Sequence, residues 1–294
     1  MMGVTESTLK WLDVSAAVVH GVQALVVIGL TVEVLDKRPS AMFNGGHIGV
    51  YRMATVYDEQ GGLVKDRKVA TGELDIRLLI IGFFLLSAVF GLCGALFGSC
   101  TECGAEAVGG GARTLWRFSE YSVSASVMLL AIAVEAGVRD VYTLACQFVL
   151  TWVTQVLGVL AECMQTERTP LGWLLPHLTA WVTCLAAYSP ILDCFRLNAS
   201  QPENSIPEFV TVIVFLELLL FTCFGFVQMV ALARKTSLIQ HRGASKTPYR
   251  SLGYADRDSE LAAVDRDSDL CYTVLSLAAK SLLGWIVLGP LLAP

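Results

Sequence analysis

Charge is scarce in this sequence. Asp, Glu, Lys and Arg make up 16% of its 294 residues, against roughly 25% in an ordinary soluble domain. That is too little to coat a globule of this size with polar surface, so a soluble enzyme or a disordered chain is excluded. A cationic surplus is missing too: the net charge is −5, and a nucleic-acid partner needs a basic face. There are four histidines, and the one Cys-x-x-Cys, Cys100 and Cys103, has neither a second pair nor a nearby histidine. A metal or redox site is therefore not expected. Neither a Ser-His-Asp arrangement nor a phosphate loop appears, so an enzyme is not expected.

What is abundant is apolar. Hydrophobic residues are 54% of the chain and mean hydropathy is +0.60. They gather into seven runs, at about 12–35, 76–99, 114–137, 141–163, 171–194, 207–233 and 270–292, each near the ~20 residues that cross a ~30 Å hydrocarbon core. The fold class is an all-α membrane protein: one seven-transmembrane-helix bundle over residues 1–294 in a lipid bilayer. The first run, preceded by Lys10 alone and continuing past His20, reads as a span rather than a cleaved signal. Outside the last helix, 11 Lys and Arg fall on the N-terminal side and 9 on the other. This bias favours a cytoplasmic N-terminus and an extracellular C-terminus, in the cell membrane. The sequon at Asn198 would then be external. The first loop, 36–75, has β-rich runs at 50–57 and 63–69 about Gly61-Gly62 and predicts an external β-hairpin. Residues 234–269, with Asp-Arg-Asp-Ser at 256–259 and again at 265–268, read as a polar cytoplasmic loop, a solvated linker or a helix extension.

The few ionisable groups inside the spans carry the chemistry, since one at mid-helix costs about 2.5–3.5 kcal/mol on insertion scales. They are Lys280, Glu120, Glu135, Glu162, Glu217 and His20. Lys280 lies roughly 15 Å into its helix, too deep to snorkel. It is either a partner in an ion pair or a Schiff-base amine for an aldehyde chromophore. Glu120 sits at a similar depth in a helix of the same direction, so the two are expected to meet and Glu120 to act as counterion. Ser276 and Thr273 share the Lys280 face. His20 and Gln23 share a face of the first helix, and Glu162 approaches the same side; together they would line a polar cavity beside Glu120. Trp173, His177 and Trp181, with Phe221 and Phe224, form aromatic stripes of the kind a flat polyene pocket needs, although such stripes also serve helix packing.

Two stretches, Arg117-Phe118-Ser119-Glu120-Tyr121-Ser122-Val123-Ser124-Ala125-Ser126 and Ser276-Leu277-Ala278-Ala279-Lys280-Ser281-Leu282-Leu283-Gly284-Trp285, resemble the heliorhodopsins, a family of retinal-binding photoreceptors, and the resemblance runs through all seven helices. It implies all-trans retinal on Lys280, Glu120 as the carboxylate counterion, and Ser276 and Ser124 as neighbours. It further implies a cytoplasmic-side cavity reached by His20 and Glu162, an inverted topology, and a homodimer. One departure is in helix two, where the family's histidine one turn after a serine is replaced: Ser87 is followed by Gly91. The cavity must then be wired differently or hold more water. The sixth loop is also longer than the family leads one to expect. Ser276 stands where ion pumps carry an Asp, which removes the acceptor pair of an outward pump.

These residues imply light sensing with a conformational signal to a cytoplasmic partner. Glu217 supports an alternative, a light-gated passive proton path through Glu217, Glu120 and Glu162; as a neutral, hydrogen-bonded acid it would serve the bundle alone. A second alternative is a receptor or solute carrier without photochemistry, in which Lys280 and Glu120 form only a salt bridge.

Overall fold

The computed structural model describes residues 5–32, 47–57, 63–97, 112–166, 170–201, 206–244 and 251–292. Its seven helices are α1 (Glu6–Leu30), α2 (Ile76–Phe97), α3 (Ala112–Glu135), α4 (Val141–Cys163), α5 (Pro170–Ala199), α6 (Glu208–Ala244) and α7 (Ser251–Leu292). All are long and apolar enough to cross a membrane. Strands β1 (His47–Tyr57) and β2 (Leu63–Asp75) pair antiparallel between α1 and α2, from His47 opposite Asp75 to Tyr57 opposite Leu63. The expected bundle with a small hairpin is thus what the chain forms. The turn at Gly61-Gly62, the cysteines Cys100 and Cys103, and Gly109 to Gly111 fall outside the described residues.

Helix α3 is the centre of the bundle. Its span is 72% buried, whereas the other six range from 22% to 39%. Ile132, Ala133 and Val134 on α3 pack with Ile80, Phe83 and Phe84 of α2, Ile191 of α5 and Leu283 and Leu288 of α7. Outward faces carry Leu25, Leu78, Leu96, Val182 and Leu219, an exposed apolar surface suited to lipid. Glu120 therefore rides on the element with least access to the outside.

A short, specified turn joins α3 to α4. Gly137 has φ +103, and the Val138 N–H bonds the Ala133 carbonyl at 2.9 Å while the Gly137 N–H bonds Val134 at 3.1 Å. This pair closes the helix in a Schellman arrangement that favours glycine at its left-handed position. Asp140 then caps α4 by accepting from the Thr143 N–H and hydroxyl, both at 2.8 Å. Asn198, the sequon residue, donates its amide to the Ala136 carbonyl at 3.3 Å, so that amide is engaged within the protein. The hairpin docks on the same turn, with the Tyr51 N–H donating to Arg139 O at 3.1 Å and Ile48 and Val50 buried in the core.

One boundary differs from the sequence reading. Most of 234–269 is not loop: α6 continues to Ala244 and α7 begins at Ser251. Charge there signals pairing between helices. Lys235 bonds Asp265, and Arg234 lies 3.8 Å from Asp267, so the second Asp-Arg-Asp-Ser holds α6 against α7.

Candidate functional site

Lys280 is 3% exposed, and its Nζ donates to Glu120 Oε1 at 2.6 Å. The sequence places both groups on parallel helices, and helical side chains lean toward the N-terminus of their own helix, so the long lysine reaches back to the level of Glu120. The nitrogen also lies 5.2 Å from the centre of the Tyr121 ring, close enough for a cation–π contact. Tyr121 is held in turn by a hydrogen bond from its hydroxyl to the Tyr272 carbonyl, at 3.2 Å. Nothing in the sequence singled out Tyr121 beyond its place next to Glu120.

The amine opens into a cavity with about 850 Å³ of empty space, open solvent at its mouth included. Phe118, Tyr121, Met128, Trp181, Phe221 and Phe224 supply apolar walls. Two glycines let the rings sit close: a Cβ at Gly158 would fall 2.6 Å from Phe118 and one at Gly225 2.4 Å from Trp181. Ser124, Ser276, His177, Gln228 and Glu217 are the polar residues of the wall that bear on function. Glu217 is 1% exposed, and among the described residues neither of its oxygens has a hydrogen-bond partner. The Ser124 hydroxyl is likewise unpartnered.

The remaining candidates divide into two groups. His20 Nδ1 pairs with Gln23 Oε1 at 3.1 Å, and Gln23 donates to Ser281 Oγ at 2.9 Å, linking α1 to the residue after Lys280. Thr273 donates to Asp13 at 2.9 Å. Ser87 is buried with its hydroxyl unpartnered among the described residues. Glu162 is not with them. It belongs to an ionic cluster, 3.6 Å from Arg117 and 3.4 Å from Lys235, where Arg117 also binds Asp269 and stacks 4.2 Å over Tyr272. Neither His20 nor Glu162 lines the cavity beside Lys280. His20 and Gln23 thus tie α1 to α7, whereas the Arg117 and Lys235 cations hold the Glu162 carboxylate.

Trp173, expected in the pocket, does not line this cavity; it packs against Ala161 and Leu232. At Gly91 helices α1 and α2 approach so closely that a Cβ there would lie 2.7 Å from the Ala17 Cβ. The missing histidine is replaced by direct contact of α1 with α2. The Arg117 cluster itself went unread in the sequence, because Asp269 and Lys235 fell in what looked like loop.

The profile of the heliorhodopsin family matches residues 9–239. The chain belongs to the heliorhodopsin family. No curated protein sequence matches it. As a heliorhodopsin it is an integral membrane protein and a retinal-binding rhodopsin. The match spans α1 to α6, and α7, with Lys280, lies beyond it, so the fit of retinal is tested on geometry. A buried primary amine at the wall of a largely apolar, aromatic-lined cavity, with a carboxylate on that amine, suits an aldehyde-bearing polyene. In this heliorhodopsin Lys280 would hold it, and Phe118, Trp181, Phe221 and Phe224 would flank it.

Proposed function

We propose that this heliorhodopsin is a light sensor in which Lys280 carries the chromophore, Glu120 is the counterion, and the helices pass the change to a cytoplasmic partner. The observation carrying this reading is the 2.6 Å contact of Lys280 Nζ with Glu120 at the cavity wall. All-trans retinal held by Lys280 would supply a polyene that isomerises in light while the Lys280 nitrogen keeps its positive charge. Glu120 and the Tyr121 ring both face that charge, at 2.6 Å and 5.2 Å from the nitrogen. Turning the nitrogen away from Glu120 strips a part-buried carboxylate of its partner, a change of up to about 3 kcal/mol, the low end of the range for buried pairs. Ser124 and Ser276 line the same cavity and offer hydroxyls to receive the displaced N–H. That energy is enough to shift a two-state helix equilibrium by up to about a hundredfold. The N-terminus is cytoplasmic, as the lysine and arginine bias favours, and the protein pairs as a homodimer. Absorption spectra of membranes with and without added retinal test the reading. A visible band in wild type that is absent in Lys280→Ala is expected, and a coloured Lys280→Ala protein refutes the linkage.

A second reading, passive proton conduction, is favoured by Glu217, a buried acid without a hydrogen-bond partner among the described residues and on the same cavity as Lys280. With Glu120 and Glu162 it offers stations along the bundle. Voltage-clamped photocurrents decide: conduction requires a current that Glu217→Gln reduces, and no current, or one unchanged in Glu217→Gln, rules it out.

A further inference from the structure

The cavity wall built by α4, α5 and α6 contains a hydrogen-bond chain whose direction is forced at both ends. Trp181 Nε1–H donates to His177 Nε2 at 3.1 Å; His177 Nδ1 meets Gln228 Oε1 at 3.3 Å; Gln228 Nε2 donates to the Gly158 carbonyl at 2.9 Å. An indole N–H can only donate and a carbonyl can only accept. Gln228 must therefore turn its NH₂ to Gly158 and its oxygen to His177, and His177 must accept at Nε2 and donate at Nδ1. A doubly protonated ring, or one with the proton on Nε2, would set two donors against each other at Trp181.

The chain holds a ring in a tight place. Trp181 lies so close to Gly225 that a Cβ there would be 2.4 Å from it, and its ring also meets Phe226 in an edge-on arrangement with centroids 5.6 Å apart. In an apolar interior an indole N–H without an acceptor costs on the order of 1–3 kcal/mol. Trp173, four residues before His177, shows the contrast: its N–H has no acceptor among the described residues, and it lies off the cavity. The orientation of Trp181 is thus selected by His177.

We propose that His177 is a positioning residue of the chromophore pocket, locked as the neutral Nδ1–H tautomer so that it pins Trp181 over Gly225 and fixes the wall against which the polyene rests. Moving Trp181 then pulls on a chain that crosses from α5 to α6 and ends on the α4 backbone. The positioning role rests on retinal binding at Lys280, whereas the tautomer does not.

Two measurements separate those parts. Nitrogen-15 NMR of histidine-labelled protein in bilayers, with the His177 signals assigned by their loss in His177→Phe, should show a protonated Nδ1 and a bare Nε2. A proton on Nε2 overturns the proposal whether or not pigment forms. In the retinal-loaded protein, His177→Phe should shift the visible maximum by several nanometres and move the Trp181 indole nitrogen-15 resonance, which is assigned with Trp181→Phe. His177→Gln, able to accept from Trp181 and donate to Gln228, should restore both. Gln228→Leu gives a second route if His177→Phe fails to fold: it removes the acceptor of the Nδ1–H while Trp181 still donates to Nε2, so the Nδ1–H tautomer should persist while the Trp181 indole resonance moves as the ring loosens. A Trp181 resonance unmoved in Gln228→Leu, or a His177→Phe spectrum identical to wild type, overturns the chain as the device that sets Trp181. Absence of colour in wild type, with the Nδ1–H tautomer present, would instead fault the retinal assignment.

Discussion

Replacing Arg117 by Gln should destabilise the protein more than removal of any surface charge. Its guanidinium binds Asp269, approaches Glu162 at 3.6 Å and lies 4.2 Å over Tyr272, with the Arg117, Asp269 and Glu162 side chains 8–12% exposed. Breaking a buried pair costs about 3–5 kcal/mol. Lys235 remains on Glu162 at 3.4 Å, which argues for the lower figure, and the lost stacking adds about 1 kcal/mol. A total near 3–4 kcal/mol corresponds to a fall in Tm of roughly 6–16 °C, at ~2–4 °C per kcal/mol for a chain of this order of size. A thiol-reactive dye can follow unfolding in detergent, because cysteines such as Cys93, Cys163 and Cys184 lie half-buried in the helices. Arg196→Gln is the control: it pairs with Asp193 at 3.5 Å, but those side chains are 80% and 62% exposed, and such pairs are worth under about 1 kcal/mol. If Arg117→Gln melted within 2 °C of Arg196→Gln, the cluster would be solvated and its place in holding α3, α4, α6 and α7 together would be wrong.

Other outcomes are equally direct. Glu120→Gln should move the visible absorption maximum, since the carboxylate lies 2.6 Å from the Lys280 nitrogen; an unmoved spectrum would place the counterion elsewhere. Gly137→Ala should cost about 1–2 kcal/mol for the left-handed backbone, and more because the new Cβ falls 2.7 Å from Asn198, measured as a lowered Tm. Asp140→Ala should remove about 1 kcal/mol of capping. Partial burial opposes ionisation of Asp140, but hydrogen bonds led by those from Thr143 outweigh it and hold its carboxyl below the usual 3.8. Its contribution is therefore whole above pH 3.8 and lost as pH falls through the lower folded value. Asp140→Asn, which keeps the cap without the titration, should show a flatter acid limb of Tm against pH.

The seven spans and the Lys280–Glu120 meeting were legible because each rests on a local property. Apolar runs announce their own length, and a lone lysine at mid-span has few partners of matching depth. Arg117 with Asp269 was not legible, since their pairing depends on how α3 and α7 align, which no spacing within either segment encodes. Lys235 and Asp265 misled for a related reason: charge suggested solvent where it marks contact between two helices. Gly91 was read as a missing side chain, when its meaning lies in Ala17 on another helix. The chain through His177 needed donors and acceptors from α4, α5 and α6 at once; the stripe of Trp173, His177 and Trp181 put the histidine in view but could not say which ring faced the cavity.

Helices α6 and α7, at 37 and 42 residues, are about twice the length a hydrocarbon core requires. From Lys280 back to the start of α7 is roughly 44 Å of helix at 1.5 Å per residue. A tilt of one degree about the lysine thus carries the far end of α7 sideways by about 0.8 Å. Lys235 and Arg234 pair with α7 along the way, so a tilt of about two degrees at the chromophore would become a step of about 1.5 Å at the tip of α7.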